Sequence, residues 1–249
     1  MRVLAIRPGA IGDVILSLPA LESLRSDYLE VWTPTATAPL IRFADAVRSI
    51  PSTGIDLLGV AEPPTSLLAK LRSFHRIVSW YGANRPDFVE LTHKMGLPVE
   101  FHRALPPEGA GSHATDFYLA QVGASAGAVP RILCPRQPGQ FAVIHPFSGS
   151  PRKNWPLAKF RAVAESLARI MRVEWCAGPE DPPIEGSVRI GNLYDLGCWL
   201  ASARLYVGND SGITHLAAAV GTPVVAMFGP TDPAVWAPRG PNVRVVRWK

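Results

Sequence analysis

The chain has 249 residues, of which 47% are hydrophobic and 18% charged, with 21 Gly and 25 Pro. At roughly 150 residues per domain this allows one or two domains with cores of their own, and the apolar fraction excludes disordered and fibrous classes. The net charge of +5 is built mostly from Arg, since Lys occurs only at 70, 94, 153, 159 and 249; it admits nucleic acid, anionic headgroups or a phosphorylated small substrate. The basic residues are scattered, without a recognition helix, RNP-like strand or zinc finger, so nucleic acid is not an expected partner. No apolar run approaches the roughly 18 to 20 residues of a membrane span. The first apolar run is short and closed by Arg7-Pro8-Gly9, unlike a secretory h-region, so a cytoplasmic protein is expected. Cys134, Cys176 and Cys198 lie far apart and form neither a disulfide framework nor a metal knuckle.

In chain order, Val3–Arg7 predicts a strand running into a Gly/Pro loop, and a helix follows from Gly12-Asp13 with Val14, Leu18, Leu21 and Leu24 on one stripe. Leu29–Trp32 predicts a strand, Ala38–Val47 a helix and Arg76–Trp80 a strand; 101–113 reads as a loop and His113–Val122 as a helix. Residues 123–140 are small, Pro-rich and aperiodic, the best linker candidate. The pattern then restarts. Strands are expected at Phe141–His145, Arg172–Cys176, Arg204–Gly208, Pro223–Phe228 and Asn242–Arg247, and helices at Pro156–Met171, Tyr194–Ala203 and Ile213–Val220. Such alternation predicts an α/β protein of two Rossmann-like lobes with parallel sheets, divided as 1–135 and 136–249 and facing a cleft.

Open α/β sheets bind ligands beyond the carboxyl ends of their strands, and three loops fall there. Arg7–Asp13 lacks the G-x-G-x-x-G spacing of a dinucleotide fingerprint, although Gly9 and Gly12 permit a tight turn. Asp13 stands at the helix mouth, where an ordinary cap would also place an acid. His145–Pro156 offers Ser148, Gly149 and Ser150 as small donors, with Arg152 and Lys153 as cations; it reads as a phosphate loop or as a solvated turn. Gly208–Leu216 places Asn209, Asp210, Ser211 and Gly212 before an apolar helix whose free N-terminus suits a diphosphate. His215, one turn into that helix, reads as a core histidine or, given the polar loop, a ligand-facing one.

Together RPGAIGDVILSLPAL, HPFSGSPRKNWP and VGNDSGITHLAAAVGTPVVAMFGPTDP resemble glycosyltransferase family 9, the ADP-heptose:lipopolysaccharide heptosyltransferases. The resemblance implies a GT-B architecture, with the donor on the C-terminal lobe and the acceptor mainly on the N-terminal lobe. The implied chemistry is inverting, metal-independent transfer of a heptose from ADP-heptose, a donor substrate rather than a cofactor, to a glycolipid or oligosaccharide acceptor of the lipopolysaccharide core. It assigns Asp13 as general base, with Gly9 and Gly12 in the acceptor-side loop. Lys153, Ser148 and Ser150 would hold the donor phosphates, and Asp210, Ser211, Gly212 and His215 would cradle pyrophosphate and sugar. It further implies work at the inner face of the inner membrane, where scattered Arg would meet anionic headgroups.

Two departures qualify the resemblance. After Cys176 the segment AGPEDPPIEGSVRIGN is abbreviated: the family's helix is expected to be missing or reduced, and Glu180 or Asp181 would take the ribose-binding role. A terminal helix that crosses back to the first lobe in relatives has no counterpart before Lys249. These departures leave open a degenerate sugar-nucleotide-binding protein, or a transferase using another nucleotide sugar.

Overall fold

The computed structural model describes residues 1–61, 63–135, 137 and 139–248. Two units emerge: Met1–Gly109 with Thr115–Gly127, and Ala110–Ala114 with Ala128–Lys249. The sequence reading divides the chain after residue 135, whereas the segment from Ala128 packs with the second unit. There Ile132 is buried and its N–H donates to Ala219 O at 3.0 Å, and Arg239 Nη1 donates to Ala128 O at 3.2 Å. His113 Nε2 lies 2.9 Å from Ala237 O, which attaches the short 110–114 piece to the same unit.

The first unit contains β1 (Arg2–Ile6), α1 (Ile11–Ser23), β2 (Tyr28–Thr33), β3 (Ala46–Ser49), α2 (Thr65–Arg72), β4 (Arg76–Ser79), α3 (Pro86–Lys94), β5 (Val99–Phe101) and α4 (Ala114–Gln121). Its sheet is parallel in the order β3-β2-β1-β4-β5. Strands β1 and β2 are buried almost throughout, as expected of a sheet covered on both faces. Leu4, Ile6, Trp32, Ile77, Phe74 and Phe88 belong to one core cluster.

One expected element is corrected. Ala38–Val47 is not a helix; only Ala38–Leu40 forms a 3-10 turn, and Ala46–Ser49 joins the sheet as β3. Asp45 instead starts the edge: its N–H donates to Leu29 O at 2.9 Å and its Oδ2 accepts from Leu29 N at 2.7 Å. Apolar residues at Leu40 and Ile41 are buried without helical periodicity. Helices α2 and α3 and strand β5 were absent from the sequence reading, being short and flanked by Pro or Gly.

Alternation along β2 puts Tyr28, Glu30 and Trp32 on one face. Glu30 is fully buried, and its carboxylate accepts from Tyr28 OH, Trp32 Nε1 and Arg48 Nε, each at 2.8 Å, with Lys70 Nζ at 2.6 Å. Burial pushes its carboxyl up, but hydrogen bonds from Lys70, Trp32 and Tyr28 outweigh that and hold it below the usual range.

The second unit contains β6 (Phe141–His145), α5 (Leu157–Ala168), β7 (Arg172–Trp175), α6 (Leu193–Ala201), β8 (Leu205–Asn209), α7 (Gly212–Ala219), β9 (Val224–Phe228), α8 (Pro233–Trp236) and β10 (Val243–Arg247). Its parallel order is β10-β9-β8-β6-β7. Beyond β7, Cys176 forms a single parallel bridge with Val188. Counting that bridge as a vestigial strand, the order becomes the 3-2-1-4-5-6 of a doubly wound dinucleotide-binding sheet. The connection from Ala177 to Ser187 contains no helix, in agreement with the abbreviated segment. In both sheets the winding direction reverses once, between β1 and β4 and between β6 and β8. These are the switch points where such folds open a crevice.

Removing Glu30 leaves buried Trp32 Nε1 without its acceptor, at about 1 to 3 kcal/mol, while Arg48 and Lys70 keep access to solvent. Glu30→Ala is therefore expected to lower stability by about that amount, measured by urea unfolding, whereas removing exposed Glu108 should change it by less than about 0.5 kcal/mol.

Candidate functional site

At the second switch point, loops after β6 and β8 are fastened by one side chain. Asn209 ends β8 fully buried; its Nδ2 donates to Pro146 O at 2.7 Å and its Oδ1 accepts from Trp155 N at 2.8 Å. The 146–155 loop is thus pinned at both ends. Within it, Ser148 Oγ lies 2.8 Å from both Ser150 O and Asn154 Oδ1, and a 3-10 turn over Pro151–Lys153 presents the lysine. Lys153 Nζ sits 2.8 Å from Asp210 Oδ2, an ion pair rather than an aligned hydrogen bond. Asp210 is 5% exposed while Lys153 is 36% exposed, so the ammonium keeps access to solvent.

Helix α7 begins directly after Ser211, whose Oγ accepts from Thr214 N at 3.3 Å. Thr214 Oγ1 donates to Asn209 O and lies 3.1 Å from Tyr206 OH, locking the first turn to β8. Tyr206 reaches it by crossing Gly208, where a Cβ would come within 2.6 Å of the phenol oxygen. Gly212 and Ile213 remain at the positive end of the helix, with backbone N–H groups that no earlier turn satisfies.

Two buried polar atoms at the end of β6 and in α7, His145 Nδ1 and His215 Nδ1, lack a hydrogen-bond partner among the described residues, and buried Asp210 Oδ2 meets the Lys153 ammonium. Such groups are uncommon, and their concentration beside a lysine and a helix N-terminus makes this strand end the candidate ligand site. His215 is kept neutral: burial lowers its pKa to about 4, opposed by Asp210 and reinforced by His113 and Lys153. His215 is thus a core histidine, and it adjoins Asp210. Ser148, Ser150, Lys153, Asp210, Ser211, Gly212 and His215 all belong to these two adjoining loops and the start of α7.

Asp181 packs on the same strand end. Its Oδ2 accepts from Gly178 N at 2.6 Å and lies 3.2 Å from His145 Nε2. A carboxylate only accepts, so the proton belongs on Nε2. The bond from His145 holds the Asp181 carboxyl below its ordinary range, partly offset by burial. Glu180 is exposed.

The first unit has its own switch-point site. Asp13 is the third residue of α1, partly buried, and its Oδ2 accepts from Ala10 N at 3.1 Å. Gly9 has φ +129°, and a Cβ there would stand 3.0 Å from Asp13 Cβ, so glycine lets the loop close over the carboxylate. Gly12 lies inside the first turn of α1. Sequence reasoning missed Arg7, which is fully buried behind this loop. Its Nε donates to Ser17 Oγ at 3.0 Å, Nη1 to Pro8 O at 2.9 Å and Ala104 O at 3.2 Å, and Nη2 to Asp13 O at 3.0 Å. Tyr118 lies beneath it at 4.5 Å. Burial lowers the guanidinium's pKa and pushes that phenol up to about 12. The available signal was a charge closing an otherwise apolar strand.

The second unit is a doubly wound α/β unit with a lysine, a helix N-terminus and unpartnered histidine nitrogens at its switch point, the place where such folds take their ligands. Residues 124–249 match glycosyltransferase family 9 (heptosyltransferase), and the chain belongs to that family. Lipopolysaccharide heptosyltransferase 3 of Escherichia coli is 24% identical to it, across 93% of this chain and 84% of that protein. Among solved structures, a glycosyltransferase family 9 protein of Veillonella parvula DSM 2008 superposes with TM-score 0.76 at 19% identity, over 99% of this chain and 86% of that one. E. coli heptosyltransferase WaaC with ADP gives 0.69 at 19% identity, over 99% and 93%. The fold is GT-B, built from two parallel-sheet α/β lobes. No helix among the described residues is long and apolar enough to cross a membrane.

Because the folded chain keeps His215 neutral and the unfolded chain does not, stability should be complete above pH 6.5. It should fall as the pH drops toward about 4, with a slope approaching 1.4 kcal/mol per pH unit. Chemical unfolding across that range should show His215→Gln to lack this part of the slope.

Proposed function

We propose that the chain transfers a heptose, or a related sugar, from an ADP-sugar to a hydroxyl of a lipopolysaccharide-core or similar glycan acceptor, with inversion and without a bound metal. The observation carrying this reading is the convergence of Lys153, Asp210 and the α7 N-terminus at the β6/β8 switch point. Family membership and the heptosyltransferase relatives support the sugar and acceptor class. Nucleotide sugar and glycolipid act as substrates, at the cytoplasmic face of the inner membrane.

In a single displacement, the acceptor oxygen bonds to the anomeric carbon as the bond from that carbon to the diphosphate oxygen breaks. The hydroxyl proton passes to Asp13, and the electron pair leaves with the nucleoside diphosphate. Lys153 and the N–H groups of Gly212 and Ile213 meet the departing charge, the work a divalent ion does elsewhere. Ser148 and Ser150 line the phosphate loop. Asp210, anionic beside an anion, is suited to accept from sugar hydroxyls while orienting Lys153. Arg7 holds the main chain of the Asp13 turn rather than touching its carboxylate.

Asp13→Asn is expected to leave ADP affinity within about twofold of wild type while lowering turnover roughly 10²- to 10⁴-fold. Lys153→Ala is expected to weaken ADP binding by about 10- to 100-fold, the worth of a charge-assisted contact. Calorimetry with ADP, UDP and GDP and a transfer assay with ADP-heptose check both. Absence of saturable nucleoside diphosphate binding would contradict the reading, and ADP binding without transfer would favour a non-catalytic binder.

A further inference from the structure

Between β7 and α6 the second unit departs most from the usual wiring of its sheet. A parallel crossover normally carries a helix that fixes it against the sheet face. Here Gly178–Ser187 is an excursion containing Pro179, Pro182, Pro183 and Gly186, fastened at its neck by Val188. Val188 N donates to Trp175 O at 2.8 Å, and Ala177 N donates to Val188 O at 3.2 Å. Beyond that neck the loop has no ladder of its own.

Arg189 supplies the missing restraint. Its guanidinium donates to the carbonyls of Gly178, of Asp181 at 3.2 Å and of Pro182 at 3.1 Å. A rigid planar fork suits three acceptors spread over one turn, which a lysine's single ammonium matches poorly. The same turn is fixed from within by Asp181 Oδ2, which accepts from Gly178 N and meets His145 at the end of β6. Arg189 therefore holds the backbone, and Asp181 the side chain, of a turn that abuts the start of the phosphate loop. Asp181 Oδ1, without a partner among the described residues, stays available to a ligand hydroxyl.

We propose that Arg189 is a positioning residue for the nucleoside side of the donor site, a guanidinium clamp that stands in for the crossover helix and sets Glu180 and Asp181 against the donor ribose. The proposal rests on the donor-site reading above. Arg189 touches neither phosphate nor sugar; it raises the fraction of molecules in which the turn is ready to bind. Apparent affinity scales with that fraction, so a tenfold drop in it raises the apparent Kd tenfold.

The test compares wild type, Arg189→Ala and Arg189→Lys by titration with ADP and, separately, inorganic pyrophosphate, with transfer kinetics alongside. Arg189→Ala should weaken ADP by about tenfold, or about 1.4 kcal/mol, with pyrophosphate affinity within about twofold of wild type. The donor KM should rise with ADP's Kd while kcat at saturating donor holds, and Arg189→Lys should recover part of the loss. Unchanged ADP affinity in Arg189→Ala, beside a wild type that binds ADP, would overturn the clamp alone. Equal weakening of ADP and pyrophosphate would overturn it too, as general loosening of the lobe. A wild type that binds neither ligand would overturn the donor site and the clamp together.

Discussion

The second lobe depends on the buried amide of Asn209. A parallel sheet ends in a row of strand termini whose following loops must be aimed by something other than the ladder. Asn209 accepts from Trp155 and donates to Pro146, so the last residue of β8 fixes both ends of the loop that follows β6. With that loop fixed, Lys153 is presented to Asp210, and Thr214 ties the first turn of α7 to Asn209 O. Each group is polar and buried, and an unmade bond among them would cost about 1 to 3 kcal/mol. Geometry at the site is thereby paid for by the fold.

The two lobes solve the same problem with opposite charges. In the first, a buried guanidinium, Arg7, gathers carbonyls from the Pro8–Asp13 turn and from Ala104, leaving a carboxylate at the helix mouth. In the second, a buried carboxylate, Asp210, draws in an ammonium at a helix mouth. A carboxylate suits removal of a proton and an ammonium suits a departing phosphate. Under the proposed transfer, Asp13 would take the proton and Lys153 would meet the departing phosphate.

Much of this was legible in sequence because parallel core strands are unbroken apolar runs. FAVIH, LYVGN and VVAMF stand out between polar loops, and their alternation with helices fixes the class. The site residues were legible for a related reason, since they follow such strands directly. Ala38–Val47 was misread because its apolar residues pack in a 3-10 turn and an edge strand, where spacing carries no helical period. Arg7, Asn209 and Arg189 escaped notice as keystones for another reason. Asn209 bonds to main chain far away in sequence, and Arg7 and Arg189 bond mostly to carbonyls of nearby turns; hydrophobic spacing encodes neither. The abbreviation after Cys176 was visible, but the bridge at Val188 and the clamp that compensates for it were not.

The proposed transfer requires a nucleoside diphosphate at the β6/β8 switch point, against the 148–154 loop and the start of α7. Hydrogen–deuterium exchange with and without saturating ADP tests it most directly. Slowed exchange is expected at the amides of 148–154 and 211–214, and at 178–181 beside them. Tight ADP binding with those amides unchanged, and protection placed elsewhere in the chain, would contradict it.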